Sequence, residues 1–179
     1  SRTNAVPGSG SAAPRVMLIG EGPGAEEDRT GEPFVGKAGK YLDKWLAGIG
    51  LDRERDCFIT NIVKCRPPEN RDPSTDESAA CLPCLEEQVD LLRPAVILTL
   101  GRIAAQTLVG SAAGIGALRG KTYEYRGVPL IPPYHPAAVL RAVENGDNTY
   151  RAAVWEDLKR LREFLDTVPL HDTASGKER

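Results

Sequence analysis

Four short apolar runs alternate along this chain with segments of helical period, and that alternation leaves few folds open. Arg15 to Gly20 (RVMLIG), Cys57 to Val63 (CFITNIV), Ala95 to Leu100 (AVILTL) and Val128 to Pro132 (VPLIP) are too short for helices and carry many β-branched residues. Lys37 to Ile49 sets Leu42, Trp45, Leu46 and Ile49 on one helical face, with Gly50 placed to end it. Ser74 to Leu92 opens with Ser74 as N-cap and Glu77 completing a capping box. Arg102 to Val109 and Ala137 to Val143 read as shorter helices. Tyr150 to Val168 reads as a longer one, with Trp155, Leu158, Leu161 and Leu165 on its apolar face. Thr122 to Tyr125 and Val128 to Ile131 flank Arg126-Gly127 as a hairpin. Strands that are apolar throughout and alternate with helices form a parallel sheet covered on both faces. The expectation is an α/β fold: a three-layer α/β/α domain with a central four-stranded parallel sheet.

Ligands of such sheets bind outside the carboxyl ends of the strands, and the unusual residues of this chain lie there. The first strand runs into Gly20 to Gly36 (GEGPGAEEDRTGEPFVG). Its glycines allow backbone to approach a ligand closely. It lacks both the P-loop spacing and the full dinucleotide fingerprint, and its acids (Glu21, Glu26, Glu27, Asp28) suit phosphate poorly. No nucleotide cofactor is expected. The bland alternative is a solvated acidic surface loop, against which Phe34-Val35 argues. Asn61 closes the second strand, Gly101-Arg102 follows the third and His135 the fourth, so four loops converge on one edge.

Each of these residues has two readings open. His135 can cap a turn, or donate to charge developing on a leaving group. Asn61 can shape a turn, or read a base: its C=O accepts from an imide N–H while its NH₂ donates to the adjacent carbonyl. Uracil offers that pair; cytosine reverses it. Phe34 is a core residue or a stacking platform for a flat ring. Lys64, Arg66 and Arg71, with Arg102, Lys121 and Arg141, are scattered surface cations or a phosphate-binding face. Lys64 to Pro73 (KCRPPENRDP) is too interrupted by proline for a helix or a sheet interior. Cys57 lies in a strand and reads as core. Cys65, with the C-x₂-C of Cys81 and Cys84, suggests soft-metal ligation.

Residues 15–168 form one expected domain, preceded by a flexible, small-residue lead-in, 1–14, and followed by a tail, 169–179, that holds His171, the second of 2 histidines. The chain opens on Ser1 instead of Met, which fits a processed or truncated chain. A net charge of −2 does not advertise a polyanion partner, though a local basic patch can serve instead. Neither an apolar run of membrane-spanning length nor a signal-peptide core is present. The expected setting is the cytoplasm, without membrane attachment, where paired cysteines point to metal or redox use.

GEGPGAEEDRTGEPFVGKAG, ITNIVKCRPPENRDP and YHPAAVLR, in this order and spacing, resemble the family 4 uracil-DNA glycosylases, the iron–sulfur type. The resemblance runs from about Arg15 to Arg162. It implies removal of uracil from single- or double-stranded DNA by a monomeric enzyme that flips the base out of the stack. By motif match, Glu21 and Gly22 line the pocket, and Glu27 lies near the uracil C5 edge. Phe34 stacks on the base, Asn61 reads its N3/O4 edge and His135 bonds to O2. A DNA substrate would give the phosphate-binding reading of Lys64, Arg66 and Arg71 its partner. HPAAVLR is the loop that enters the duplex, with Leu140 and Arg141 near its tip.

Two departures accompany the match. The family carries an upstream C-x₂-C pair, whereas no cysteine precedes the first strand here. Only Cys65 and Cys81 then match the four ligands of the expected [4Fe–4S] cluster, with Cys84 a weaker candidate, so the chain holds no cluster or a labile one. Gly22 stands where better-known uracil glycosylases place a water-activating Asp; the family itself has a small residue there, which leaves the water activator unassigned. The branch that traps its product adds a histidine-bearing basic loop after the second strand. Lys64 to Pro73 lacks it, which favours turnover. The rival readings are a catalytically silent DNA-binding module and, disfavoured by the missing ligands, a small electron carrier.

Overall fold

The computed structural model describes residues 2–169. In chain order the elements are β1 (Ser9–Gly10), β2 (Val16–Gly20), α1 (Ala25–Thr30), α2 (Lys37–Gly48), α3 (Arg53–Asp56), β3 (Cys57–Asn61), a 3₁₀ turn at Pro68–Asn70, α4 (Thr75–Leu92), β4 (Val96–Thr99), α5 (Arg102–Val109), α6 (Ile115–Leu118), β5 (Tyr123–Tyr125), β6 (Val128–Ile131), α7 (Pro136–Glu144) and α8 (Thr149–Thr167). They form a 6-stranded sheet in the order β1-β3-β2-β4-β6-β5. The inner four strands are parallel, as the apolar runs imply. Antiparallel β1 and β5 close the two edges, β5 through the expected hairpin with β6.

Side chains alternate between the faces of a strand, and β2 shows it. Val16 and Leu18 join one core with Leu42, Leu46, Val139, Leu158 and Leu161 of α2, α7 and α8. Met17 and Ile19 join another with Leu85 and Val89 of α4 and Ala104 and Leu108 of α5. Each such side chain contributes about 1.5–3 kcal/mol by leaving water. The capping box of α4 is formed: Ser74 Oγ accepts from Glu77 N (3.2 Å) and Glu77 accepts from Ser74 N (2.7 Å). On α8, Trp155 does not join the apolar face as expected. It is 42 % exposed, and Val154 takes the buried position.

The lead-in is not a flexible arm. Thr3 and Asn4 donate their amides to the Asp28 carboxylate at 2.8–3.0 Å. These backbone bonds, Asn4 first, hold that carboxyl below its usual range. Val6 is fully buried and its N–H reaches Lys64 O at 2.7 Å. Gly8 and Gly10 both sit at φ +130, where a Cβ would meet Ile59 O at 2.8 Å and Cys57 O at 2.1 Å. The glycines that suggested flexibility are what lets this segment lie against β3. Beyond residue 169 the expected tail, His171 included, lies outside the described residues.

Candidate active site

The carboxyl ends of β2 and β3 meet in register at Gly20 and Asn61. Past them lies a cleft of about 580 Å³ lined by Glu21, Gly22, Glu27, Phe34, Asn61 and His135, among others. The four loops singled out in the sequence therefore do converge.

Asn61 is 1 % exposed, and its Oδ1 has no protein partner among the described residues. Buried polar atoms are nearly always paired, so a lone acceptor at a cleft wall marks a place for a ligand donor. Gly20 makes room for it, since a Cβ there would lie 2.5 Å from Asn61 Oδ1 and 2.6 Å from Phe34 Cζ.

Phe34 is buried with φ +50, a left-handed conformation that strains a bulky residue by roughly 1–3 kcal/mol. Its turn is braced on several sides. Glu27 Oε1 accepts from the amides of Val35 and Gly36, both at 3.0 Å. Arg53 donates to the carbonyls of Pro33 and Phe34. Gly39 of α2 lets the Phe34 carbonyl in where a Cβ would stand 1.8 Å from it. Glu27 lines the cleft, and it is also the buttress of the aromatic turn.

His135 is the N-cap of α7. Its Nδ1 accepts from Ala137 N at 3.0 Å, so the proton of the neutral ring sits on Nε2. Burial chiefly, then Arg141, pushes its pKa down to about 4, against a smaller opposing pull from Glu27. The imidazole is therefore a neutral N–H donor at neutral pH. Its ring centre is 5.9 Å from that of Phe34. Glycine at Gly101, φ +91, keeps the β4 loop against it, a Cβ there falling 2.8 Å from His135 Cβ.

Three carboxylates line the cleft. Glu27 is occupied by the two amides, and Asp72 pairs with Arg102 at 2.8 Å. The Glu21 carboxylate has no hydrogen-bonding partner among the described residues, and burial, then Asp72, raises its pKa against the pull of Arg102.

The expected cationic face needs one correction. Lys64 is buried, its ammonium bonded to Thr60 Oγ1 (2.6 Å), Asn61 O (2.8 Å) and Gln88 Oε1 (2.8 Å). Three oxygens turn it inward, and burial pushes its pKa down to about 8 against the opposing influence of Cys84 and Cys81. It braces the backbone of Asn61 and is withdrawn from the surface. Arg71, Arg102 and Arg141 line the cleft; Lys121 does not. Arg66 bonds Asn70 at 2.8 Å and Arg71 grips Glu77 with two bonds of 2.8 Å. HPAAVLR is helical from Pro136 on, not a loop, with Leu140 half-buried and Arg141 exposed. Sequence reasoning missed Arg53 and Gly39, whose partners lie far along the chain or across a turn and leave no local signal.

A sequence model of the family described as the uracil DNA glycosylase superfamily matches residues 7–159. Among proteins named type-4 uracil-DNA glycosylase, that of Sulfurisphaera tokodaii is 43 % identical over 175 residues, covering 93 % of this chain and 77 % of its own. That of Thermotoga maritima is 42 % identical, covering 92 % of this chain and 85 % of its own. That of Pyrobaculum aerophilum is 49 % identical over 148 residues, 78 % and 75 % of the two chains. The chain belongs to the type-4 uracil-DNA glycosylases.

A type-4 member implies the iron–sulfur cluster named above, which takes four thiolates. Cys57 is in the core, its thiol pushed up to about 12 mainly by burial. Cys65 is half-buried and accepts a hydrogen bond from Arg2 at 2.8 Å. Cys81 is half-buried and Cys84 exposed. Among the described residues no three His, Cys, Asp or Glu side chains converge as a metal site. These residues by themselves do not fit a four-thiolate cluster.

Proposed function

We propose that this chain hydrolyses the N-glycosidic bond of deoxyuridine in DNA, releasing uracil and leaving an abasic site. The observation that carries this reading is the unpartnered Asn61 Oδ1 in the cleft wall, complementary to the N3–H of uracil and opposed to the N3 lone pair of cytosine. A site built to one hydrogen-bond pattern rejects the other by roughly 10⁴-fold in favourable cases. Phe34 supplies a ring to stack on, and neutral His135 an Nε2–H for O2.

Breaking the C1′–N1 bond leaves an oxocarbenium-like sugar and a uracil anion. His135 stabilises the anion by donating a hydrogen bond as charge develops, without giving up its proton. Glu21, with both oxygens uncommitted, orients the water that meets the sugar. Gly22 keeps the wall beside it thin, and Arg66, Arg71 and Arg141 contact phosphates of the flipped strand. Leu140 and Arg141, in the middle and last turn of α7, meet the duplex where it opens. The chain acts on single- or double-stranded DNA as a monomer in the cytoplasm. Among the described residues no helix is long and apolar enough to cross a membrane.

The test is a uracil-containing duplex incubated with the protein and then with alkali. Cleavage at the uracil is expected, with none at cytosine, and an intact strand would overturn the reading. His135→Ala should lower the single-turnover rate by about 10²–10³ with DNA affinity kept.

A further inference from the structure

We infer that Arg53 is the residue that positions Phe34 for base stacking and ties it to the strand that carries Asn61. The inference rests on the reading of Phe34 as the stacking ring. The guanidinium donates through one nitrogen to Phe34 O at 2.7 Å and through the other to Pro33 O. The first nitrogen also reaches Asp43 Oδ1 at 3.0 Å. Its side chain is only 18 % exposed, so it is a shielded clamp on two successive carbonyls and not a surface ion pair.

What the clamp holds is a turn that does not rest easily. Phe34 is at φ +50, and its backbone is pressed against Gly39 of α2. Glu27 fixes the amide side of the turn and Arg53 fixes the carbonyl side. Arg53 itself stands on α3, a single turn fastened at its start by Asp52, which accepts from Glu54 N at 3.0 Å and Arg55 N at 2.8 Å. From there α3 passes without a break into β3, whose last residue is Asn61. One rigid element therefore carries the base reader at one end and the hold on the aromatic platform at the other. Asp43, on the helix that follows the aromatic turn, is the third point of the frame. A planar two-pronged donor suits paired carbonyls, and lysine does not replace it.

The test is a coupling experiment read in the inhibition of uracil excision by free uracil, beside the single-turnover rate. Phe34→Leu and Arg53→Met should each raise the uracil inhibition constant about tenfold, as loss of one stacked base contact does. The double variant should be no worse than Phe34→Leu alone, since the clamp acts only through the ring. Arg53→Lys should recover little. Asp43→Asn, which removes one partner and leaves the arginine, should shift the constant about two- to threefold in the same direction, and decides the matter if Arg53→Met does not fold. An unchanged inhibition constant in the folded Arg53 variants, or in Asp43→Asn where those do not fold, would overturn the inference. So would effects that multiply in the double variant, or a loss confined to melting temperature. A wild-type protein that releases no uracil overturns the stacking reading instead, so the two failures are told apart.

Discussion

Two glycine-bearing stretches flank β2, and their sequences suggest opposite roles. Residues 1–14 have the composition of a flexible lead-in, and residues 20–36 that of a binding loop. Both are held in place, and in both a missing Cβ answers a particular atom. At Gly8 and Gly10 that atom is a β3 carbonyl; at Gly20 it is Asn61 Oδ1. Glycine content says that backbone must come close to something, or that it must stay loose. Only the partner tells which. The lead-in serves the edge of the sheet, and the loop serves the cleft, so the same substitution in the two places should have different consequences.

The largest contrast is expected from Gly20→Ala. The methyl displaces the Asn61 amide and the Phe34 ring together, and misplacement of reacting groups by about 1 Å costs on the order of 10²-fold in rate. Single-turnover excision by a folded variant measures it. A protein that loses stability but keeps its rate would break the comparison. Next comes Gly10→Ala, which forces a side chain onto Cys57 O at φ +130. Overpacking of this kind costs about 1–3 kcal/mol. For a domain of this size the melting temperature should fall by roughly 2–12 °C, with the excision rate per folded molecule unchanged. A slowed rate would show that the edge strand reaches the site. The smallest effect is expected from pH. With its pKa pushed down to about 4, His135 stays neutral from pH 8 to near pH 5, and the single-turnover rate should show no limb at the ordinary histidine value. A rate that falls through pH 6.5 would mean an exposed ring. Below pH 6.5 the unfolded chain takes up a proton that the folded one refuses until about pH 4, so this group subtracts stability as the pH falls through that window.

The core of the fold was legible because its four parallel strands are buried on both faces and must be apolar throughout, as Val16 to Ile19 and Val96 to Leu98 are. The site was legible because Asn61 and His135 stand at strand ends, where topology gathers ligands. Other features could not be read this way. The two-residue β1 has no periodicity to find. Lys64 resembles any cation after a strand until Thr60 and Gln88 are seen to turn it inward. Trp155 and Val154 are neighbours, and a small rotation of α8 decides which is covered. Arg53 gives no local sign at all, since both carbonyls it holds belong to a distant turn.

The oxygen of Asn61 is a bond the fold leaves unused. An intramolecular hydrogen bond contributes about 0.5–1.5 kcal/mol, and no protein donor among the described residues takes this one up. On the base-reading role proposed for Asn61, a ring that brings an N–H gains that bond, whereas a ring that brings a lone pair meets repulsion. Discrimination between bases and stability forgone by the fold are then one property seen from two directions. A substitution that supplied an internal donor would fill the place proposed for the substrate, and the gain in robustness would appear as blindness to the base.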